Sequence, residues 1–481
     1  MFSLKTAANK VVLPATRVAS RRCISSSASK TAWISTRMAL ASGNKFAYFS
    51  KNKKNSPSTV SEDVTISSSS NEQDKLEFGI DRSKQGSSFT AFFSVVCVVA
   101  GTGALGLPYA LSQGGWIGLF ILALSWILSV YTGVILIKSM YYDNTRRLSS
   151  YQEVATAAFG PIGGWLAFFF TAITLVGVPV LYILLSGSNL HNVAKGTSAE
   201  LTFPIWVIIC AAIIAVPFLF FRSLGEIAIL SCFGMLSTVI VILIVLGVSV
   251  QQIPEQVDVH HDSVIWNMFP IALSSIVFSF GGNPVYAHVE ASMRRPKDWN
   301  MVCFTGLTFC VILYFLTAVP GYYVYGTAVQ SPVYDSLPNG GPKSASIIII
   351  TIHLLLATPI LLTSFALDVE KMLKINSEHR SRPVEWSLRF MFRGALIVVI
   401  TVIAIYVPFF GDFMSLLGAF SNCALVFIFP VVFYYKLTGI RGKPWYDYIL
   451  GFLTLLLGIV GLIFGTISAI EALNNDFKNR K

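Results

Sequence analysis

The sequence predicts an all-α polytopic membrane protein with about eleven transmembrane helices, and three observations support this fold class. Hydrophobic residues make up 54% of the 481 residues and charged residues only 12%, whereas soluble domains carry about 25% charged residues. The mean hydropathy is +0.67. The apolar residues also fall into runs of membrane length, since crossing about 30 Å of hydrocarbon takes roughly 20 residues. Most of the chain therefore needs lipid around it.

A polar tail comes first, and the apolar runs follow it. Residues 1–87 are basic and rich in Ser, and we predict that they form a disordered N-terminal tail. Residues 88–470 form the predicted transmembrane domain, and residues 471–481 form a short C-terminal tail. The predicted spans are 88–111, 114–137, 165–189, 203–221, 226–250, 264–288, 301–325, 345–368, 393–409, 414–435 and 448–470.

The positive charges agree with this number of spans. Cytosolic loops hold an excess of Lys and Arg, and eleven spans place sixteen of these residues on the side of the N-terminal tail, here called the tail side. The loops of the opposite side hold two. The N-terminus is therefore predicted on the cytosolic (or matrix) side, and no nucleic-acid partner is expected. The tail-side charges are Lys138, Arg146, Arg147, Arg222, Arg294, Arg295, Lys297, Lys371, Lys374, Arg380, Arg382, Arg389, Arg393, Lys436, Arg441 and Lys443.

The first part of the tail has a composition of its own. Residues 1–61 hold eleven Lys or Arg and no acidic residue, and they are rich in Ser and Ala. This composition is typical of a mitochondrial presequence. The alternative is a disordered cytosolic tail, which the same composition also permits.

Glycines interrupt the first span near its middle. The sequence GTGALG over residues 101–106 is followed by Pro108, and both residue types weaken a helix. The spacing matches a dinucleotide-binding fingerprint, but no strand precedes it and the next acidic residue is Asp143, so we reject that interpretation. Either small residues serve close helix packing here, or the helix is discontinuous and its backbone lines a cavity.

A second interruption favours the discontinuous helix. Span six contains Gly281, Gly282, Asn283 and Pro284. Spans one and six are the first helices of two five-helix halves, and paired breaks at corresponding positions indicate an inverted-repeat transporter. The prediction is therefore a 5+5 inverted repeat plus one extra helix.

Several motifs resemble the amino acid/auxin permease family, also called the transmembrane amino acid transporters. They are GTGALGLPYALSQGGWIGL at 101–119, YQEVATAAFGPIGGW at 151–165, FRSLGEIAILSCFGMLSTVI at 221–240 and FSFGGNPVYAHVEASMRRPKDW at 278–299. The last motif is most similar to fungal members, and other parts are similar to the vacuolar and vesicular branch. The resemblance covers roughly residues 88–470. It implies a LeuT-type fold and transport of amino acids by alternating access, commonly with protons or sodium.

The resemblance also implies the positions that hold the substrate. The unwound part of span one should bind the amino and carboxylate groups, and span six should complete the site. Many family members carry His after the paired glycines, where this chain has Asn283, so this chain departs from the family at that position and has no histidine there to couple an ion. The implied substrate-binding residues are Gly101, Thr102, Gly103, Ala104, Gly106, Ser279, Phe280, Gly281, Gly282 and Asn283.

Ionisable and hydroxyl side chains within the spans are the candidates for ion coupling. His353 in span eight could carry a proton or be a structural histidine. Glu290 could accept a proton or belong to an ion pair on the tail side. Thr358 and Ser364 could bind sodium, although such hydroxyls also bond their own helix.

These observations predict a secondary active transporter of amino acids, neutral in side chain and coupled to protons rather than sodium. The alternative is a transporter-like amino acid sensor that signals through its tail. No GxSxG, HExxH or Walker motif occurs, so we expect no enzyme, no catalytic residue, no cofactor and no metal site. A vacuolar, endomembrane or plasma-membrane location is favoured, and residues 1–61 also permit the mitochondrial inner membrane. The sequence contains no signal for an oligomeric state.

Overall fold

The computed structural model is helical almost throughout. It describes residues 76–77, 80–82, 85–143, 146–221, 224–255, 259–375, 381–406 and 410–479. The predicted presequence, residues 1–61, lies outside the described residues. So do the last two residues of the predicted C-terminal tail, whereas residues 471–479 continue the last helix.

Two short strands, β1 (Leu76–Glu77) and β2 (Ile80–Asp81), pair antiparallel before the first helix. The first half of the bundle contains α1 (Ser88–Val99), α2 (Thr102–Gly114), α3 (Ile117–Met140), α4 (Tyr151–Ala194), α5 (Phe203–Phe220) and α6 (Leu224–Gln252). The second half contains α7 (Phe269–Ser279), α8 (Asn283–Ala291), α9 (Trp299–Tyr325), α10 (Gly341–Met372), α11 (Arg382–Tyr406), α12 (Phe410–Leu417) and α13 (Phe429–Thr438). The extra span contains α14 (Trp445–Val460) and α15 (Thr466–Asn479).

Short irregular helices complete the chain. Single 3₁₀ turns occur at Ile253–Glu255, Pro296–Asp298, Gly326–Ala328 and Val333–Ser336. The π-helix Gly418–Ile428 joins α12 to α13, and the π-helix Gly461–Gly465 joins α14 to α15. Such wide turns are frequent at functional sites.

The helices reproduce the predicted spans. Nine helices of the described chain are long and apolar enough to cross a membrane, and α1 with α2 makes a tenth as a pair bent by 42°. The remaining predicted span, 264–288, corresponds to α7 and α8, which are separately too short to cross. Exposed large apolar side chains such as Phe120, Trp165, Phe220 and Phe452 are distributed over the outside of the bundle, where lipid covers them.

Local sequence explains where the helices begin and bend. Ser87 caps α1 by accepting a hydrogen bond from the Thr90 N–H at 3.2 Å, as expected of an N-cap serine. Ser150 caps α4 in the same way through the Glu153 N–H. Helix α4 is kinked at Gly160, whose φ of 71° is accessible mainly to glycine. The turns of α4 before this kink precede the predicted span 165–189, so the helix is longer at its tail-side end than the sequence predicted.

The end of the N-terminal tail corrects the sequence prediction, because part of residues 80–87 is folded against the bundle. The Arg82 side chain is 3% exposed and forms an ion pair with Glu290 at 3.2 Å. The Gly86 N–H donates to the Ser292 carbonyl at 2.9 Å, and the Arg294 N–H donates to the Gly86 carbonyl at 2.8 Å. The polar composition of this segment led to the prediction of disorder. Composition alone could not reveal that Arg82 pairs with the buried carboxylate of Glu290.

A second ion-pair cluster holds the tail-side ends of three helices together. Arg393 of α11 is fully buried and pairs with Glu370 of α10 at 2.7 Å. It also donates to the carbonyls of Phe218 and Phe221 at the C-terminus of α5, each at 2.6 Å. The guanidinium thus neutralises a buried carboxylate and satisfies carbonyl groups that have no partner in their own helix.

Replacing Arg393 with Ala should destabilise the protein by about 1.5–3 kcal/mol, because buried Glu370 keeps only Arg389 as its partner and the α5 carbonyls lose a charged donor. The measurement is the apparent melting temperature of the purified protein in detergent. Arg441, which is exposed in a tail-side loop, provides the control, and Arg441→Ala should leave the melting temperature unchanged. Equal melting temperatures for the two variants would contradict the structural role of Arg393.

Candidate functional site

The two broken spans contact each other near their breaks. Helix α2 packs against α7, and a Cβ added at Gly103 would lie 2.6 Å from the Ser279 Cα. Only a glycine at this position lets the start of α2 approach the end of α7 so closely. The interrupted helices predicted from the sequence are therefore adjacent in the structure.

A small cavity lies between the breaks and the helices that face them. Its volume is about 20 Å³, which is room for roughly one water molecule. We call it the central cavity, and in this conformation it is too small for a larger ligand. The lining residues are Val98, Val99, Gly103, Thr174, Val178, Tyr182, Phe278, Gly281, Leu361 and Asn422.

The side-chain wall of the central cavity is mostly apolar. Asn422 of the π-helix Gly418–Ile428 contributes a side-chain amide to this wall. The amide oxygen of Asn422 accepts a hydrogen bond from the Thr174 hydroxyl at 3.2 Å. Its amide nitrogen is 3.5 Å from the Phe278 carbonyl oxygen. No Asp, Glu, Lys, Arg or His is among the described residues that line the cavity. The wall thus offers hydrogen bonds but no full charge.

The breaks place helix ends at the cavity. The first N–H groups of α2 have no preceding turn to bond to, and a helix N-terminus attracts a carboxylate. The last carbonyl groups of α7 have the opposite polarity and attract an ammonium group. Backbone alone can therefore bind both ends of a zwitterion.

Tyr314 of α9 connects the two breaks. Its hydroxyl lies 2.6 Å from the Val99 carbonyl oxygen at the end of α1, and it also hydrogen-bonds the Ser279 carbonyl at the end of α7. Tyr314 is fully buried, and its ring packs edge-to-face on Phe280 at 5.4 Å. The hydroxyl carries one proton and therefore donates to one of these two carbonyls, which lie at the two helix breaks, at a time.

The predicted residues of span one divide into three groups. Gly103 lines the central cavity. Gly101 is at the break, where an added Cβ would lie 2.5 Å from the Tyr182 hydroxyl, and Thr102 is fully buried next to it. Ala104 is fully buried, and Gly106 packs against the Met414 side chain, away from the cavity.

The predicted residues of span six divide similarly. Gly281 lines the cavity next to Asn422, whereas Gly282 packs against Tyr286. The Ser279 hydroxyl donates to its own helix at Ser275, and Phe280 packs on α9.

Asn283 points away from the central cavity. Its amide nitrogen lies 3.4 Å from the Thr132 hydroxyl and 3.3 Å from the Val426 carbonyl oxygen. The structure does not bring Asn283 to the lining of the cavity, since its amide is directed toward α3 and the π-helix.

His353 of α10 is fully buried beside the first break. Its Nδ1 lies 2.8 Å from the Gly234 carbonyl oxygen and 2.9 Å from the Thr238 hydroxyl. Because a carbonyl only accepts, Nδ1 carries the proton of the neutral ring, and Nε2 carries the lone pair. Nε2 has no partner among the described residues and lies 3.1 Å from the position of a Cβ at Gly101.

The hydroxyl candidates for sodium bind within their own helix. Thr358 donates to the Leu354 carbonyl at 2.6 Å, and Ser364 donates to the Ile360 carbonyl at 2.9 Å. Both side chains are fully buried. These bonds are the usual local bonds of Thr and Ser in membrane helices.

Glu290 lies at the tail-side end of α8, away from the central cavity. Its carboxylate is fully buried and pairs with Arg82 at 3.2 Å and with Arg147 at 2.6 Å. Tyr141 donates to the same carboxylate at 2.6 Å. Burial and then the Glu290 charge raise the pKa of Tyr141 above its ordinary value, which keeps its hydroxyl a donor. We call Arg82, Tyr141, Arg147 and Glu290 the tail-side cluster.

The structure adds cavity residues that the sequence did not single out. Tyr182, Thr174 and Val178 come from α4, Leu361 comes from α10, and Asn422 comes from the π-helix. The amide of Asn422 in a predicted span was the available signal, because polar groups at membrane depth are expensive. The apolar wall residues gave no signal, since lipid-facing side chains are equally apolar.

Sequence comparison assigns the chain to a family. The sequence model of the family described as transmembrane amino acid transporter protein matches residues 84–471. The chain belongs to this family, and it is an integral membrane transporter rather than an enzyme.

Individual relatives agree with this assignment. Amino acid transporter AVT1I of Arabidopsis thaliana is 27% identical over 411 residues, which covers 83% of this chain and 98% of the relative. Amino acid transporter AVT1E of the same plant is 28% identical over 396 residues, covering 78% and 71%. The vesicular inhibitory amino acid transporter of Rattus norvegicus is 26% identical over 420 residues, covering 82% and 78%.

Solved structures confirm the fold class. MHP1, a nucleobase-cation-symport-1 family transporter in a closed conformation, superposes with a TM-score of 0.52 at 13% identity, covering 82% of this chain and 94% of MHP1. The manganese transporter of Eremococcus coleocola, in complex with an aromatic bis-isothiourea substituted compound, superposes with a TM-score of 0.52 at 11% identity, covering 86% and 94%. The predicted LeuT-type arrangement of helices is therefore correct.

Gly103→Ala should abolish transport, because the new methyl group would overlap the backbone of α7 at Ser279 and separate the two breaks. The measurement is amino acid uptake per molecule of correctly inserted protein. Gly394 of α11 has open space around its Cα, so Gly394→Ala should retain at least about half of the uptake. Full uptake by the Gly103 variant would contradict the close approach of the two helices.

Proposed function

We propose that the chain is a secondary active transporter that carries neutral amino acids by alternating access and couples their movement to protons. The observation that carries the proposal is the pair of helix breaks that meet at a cavity without charged side chains. The substrate would bind at the break between α1 and α2 and at the break between α7 and α8. Its carboxylate would bind the N–H groups at the start of α2, and its ammonium group would bind carbonyl groups at the end of α7.

The uncharged wall supports a neutral side chain. A cationic or anionic substrate side chain buried at this depth needs an opposite charge, because an unpaired charge at membrane depth is costly. Apolar groups such as Val178, Phe278 and Leu361 favour aliphatic substrates, and Asn422 adds a hydrogen-bonding group. The relatives named as amino acid transporters are consistent with this class.

The tail-side cluster supports alternating access. Arg82 comes from the segment before α1, Arg147 from the connection before α4, and Glu290 from the short helix α8. Opening toward the tail side by movement of α8 would therefore require Glu290 to break its ion pairs with Arg82 and Arg147. The closed cavity and the intact cluster together resemble an occluded step of such a cycle.

His353 supports coupling to protons. The lone pair on its Nε2 is directed to the break at Gly101, where the substrate carboxylate would bind. A buried imidazolium is costly without an anion nearby, and the substrate carboxylate would be such an anion. Proton and substrate would then each favour the binding of the other, since coupling between two sites is reciprocal.

Tyr314 supports protons over sodium. Carbonyl groups at the C-terminal ends of half-helices are the groups that coordinate coupling cations in transporters of this kind. Here the Val99 and Ser279 carbonyls both contact the Tyr314 hydroxyl. A protein donor thus takes the place at which a sodium ion would bind these two carbonyls, whereas the substrate's ammonium group would bind the neighbouring carbonyl of Phe278, which lines the cavity.

An endomembrane location, with the N-terminus in the cytosol, would fit this activity. A relative named as vesicular supports it, and so does the concentration of Lys and Arg on the tail side.

The decisive experiment is uptake of a radiolabelled neutral amino acid into proteoliposomes under a pH gradient. Wild-type protein should accumulate the amino acid, and His353→Asn should reduce the gradient-driven accumulation to about the passive level. Asparagine can still donate to the Gly234 carbonyl but has no titratable nitrogen, so exchange of labelled for unlabelled substrate should persist. His260→Asn, at an exposed position, is the control. Saturable uptake at the same rate with and without the pH gradient would exclude proton coupling. The absence of flux for every amino acid tested would exclude the transport proposal.

The charge of the substrate can be tested by competition. Excess unlabelled neutral amino acids should inhibit uptake, whereas lysine and glutamate should not. Asn422→Asp places a negative charge in the cavity, so it should lower neutral uptake at least about tenfold and make it sensitive to lysine. Asn189→Asp changes another buried amide, which bonds Thr351 and Tyr334 away from the cavity, and should not create lysine sensitivity. Equal competition by lysine in the wild type would contradict a neutral site.

A further inference from the structure

A polar face of α4 lies between the central cavity and the side of the protein opposite the tail. The face contains Tyr182, Ser186 and Asn189, whose helical spacing places their side chains on one side of α4. All three are buried, with exposures of 2%, 0% and 3%. Polar side chains within the membrane are costly and mark functional sites. Packing alone does not require them, because apolar side chains fill the same space at lower cost.

The first residue of this polar face lies next to His353. The position of a Cβ at Gly101 is 2.5 Å from the Tyr182 hydroxyl and 3.1 Å from the His353 Nε2. One water molecule can therefore bridge the hydroxyl and the ring nitrogen. Nε2 is also the atom that would accept the coupling proton in the proposed function.

The other end of the polar face is covered by the connection between α9 and α10, residues 326–340, which we call the outer connection. Tyr334 of this connection is fully buried and belongs to one apolar cluster with Leu105 of α2. Its hydroxyl donates to the Asn189 amide oxygen at 2.9 Å, and the Asn189 amide nitrogen donates to the Thr351 hydroxyl at 3.1 Å. A chain of hydrogen bonds thus fastens the outer connection to α4 and α10.

Ser186 lies between these two ends and has an unused hydroxyl. It is fully buried, and its Oγ has no hydrogen-bond partner among the described residues. A serine in a membrane helix commonly donates to a carbonyl one turn earlier, as Ser364 does. A buried hydroxyl without such a bond is suited to a ligand that both donates and accepts, which is a property of water.

His353 is closer to the opposite side than to the tail side. At 1.5 Å per residue, it lies about 12 Å from the opposite end of the predicted span 345–368 and about 22 Å from the tail-side end. The polar face covers most of the shorter distance, since Asn189 lies about 10 Å from Tyr182 along α4. A proton from the opposite side therefore finds hydroxyl groups along the shorter way to Nε2.

We propose that protons reach His353 from the opposite side through the hydroxyl groups of Ser186 and Tyr182. The hydrogen bond from Tyr334 to Asn189 closes the entrance to this route. The inference rests on the proposed function, and it names the path of the coupling ion. When the outer connection moves away, Tyr334 releases Asn189 and water enters as far as Ser186.

The proton transfer is balanced along the route. A hydronium ion in the entering water gives up one proton and becomes water. Each hydroxyl accepts a proton on its oxygen and passes on its own, so Ser186 and Tyr182 end unchanged. Nε2 of His353 receives the last proton, and the neutral ring becomes an imidazolium.

Two substitutions of nearly equal shape separate the hydroxyl of Ser186 from its packing. Ser186→Thr keeps the hydroxyl, and Ser186→Val replaces it with a methyl group. In proteoliposomes that hold a trapped pH-sensitive dye, a neutral amino acid should drive proton flux through the wild type and through Ser186→Thr. Ser186→Val should lower this proton flux at least about tenfold, because a positioned proton carrier is lost. It should still exchange labelled for unlabelled amino acid, since the substrate site is intact.

The possible results separate the route from the proposed function. Equal proton flux in the two Ser186 variants overturns the route and leaves proton coupling standing. Loss of amino acid exchange in both variants also overturns it, because Ser186 would then serve the packing of α4. A wild type that takes up amino acid without moving protons refutes the proposed coupling, and the route with it.

The closed entrance has a separate measurement that needs no transport. Tyr334→Phe removes the hydroxyl that bonds Asn189 and keeps the ring. Hydrogen–deuterium exchange of the amides in the outer connection should become about fivefold faster, as the loss of one hydrogen bond of ordinary strength implies. Tyr323→Phe removes a hydroxyl from a ring that is 49% exposed at the end of α9 and should leave this exchange unchanged. Equal exchange rates in Tyr334→Phe and the wild type overturn the role of Tyr334.

Discussion

The requirement that backbone polar groups be satisfied within a membrane determines the rest of this structure. Each unpaired N–H or C=O in hydrocarbon costs several kcal/mol, yet two spans are interrupted near their middle. The interruptions persist because they face each other and the protein interior, and because the Tyr314 hydroxyl lies within hydrogen-bond distance of the carbonyls at the ends of α1 and α7 and can donate to either. The proposed substrate site thus lies where the backbone is least able to face lipid.

Charged side chains are concentrated at the ends of the helices rather than at the breaks. The buried ion pairs involving Glu290 and Glu370 lie at the tail-side ends of helices, whereas the central cavity is bounded by apolar and uncharged polar side chains. His353 lies beside the break at Gly101, and α6 supplies both hydrogen-bond partners of its Nδ1. Because the ion pairs are separate from the cavity, they can stabilise the helix ends without placing a fixed charge next to the proposed substrate site.

The sequence predicted the spans well, because membrane thickness sets the length of an apolar run and charge follows the side of the membrane. It also located both breaks, since Gly and Pro act on the backbone directly, but the first is limited to Ala100 and Gly101, because α2 already begins at Thr102 and includes Pro108. It could not tell which side chains meet at the cavity: Phe280 and Asn283 adjoin the second break but turn toward α9 and the π-helix. The pairing of Arg82 with Glu290 spans 208 positions, and no local pattern predicts a contact at such a separation.

The π-helix Gly418–Ile428 has a mechanical consequence. A Cβ at Gly418 would lie 2.1 Å from the Ser274 carbonyl oxygen of α7, and the Leu425 carbonyl accepts hydrogen bonds from Tyr151 at 2.7 Å and from Asn283 at 3.4 Å. The wide turns therefore touch the sixth span on both sides of its interruption and the third span at its base. Any displacement of the sixth span relative to the π-helix would break those bonds, so the contacts couple the sixth span mechanically to the tenth.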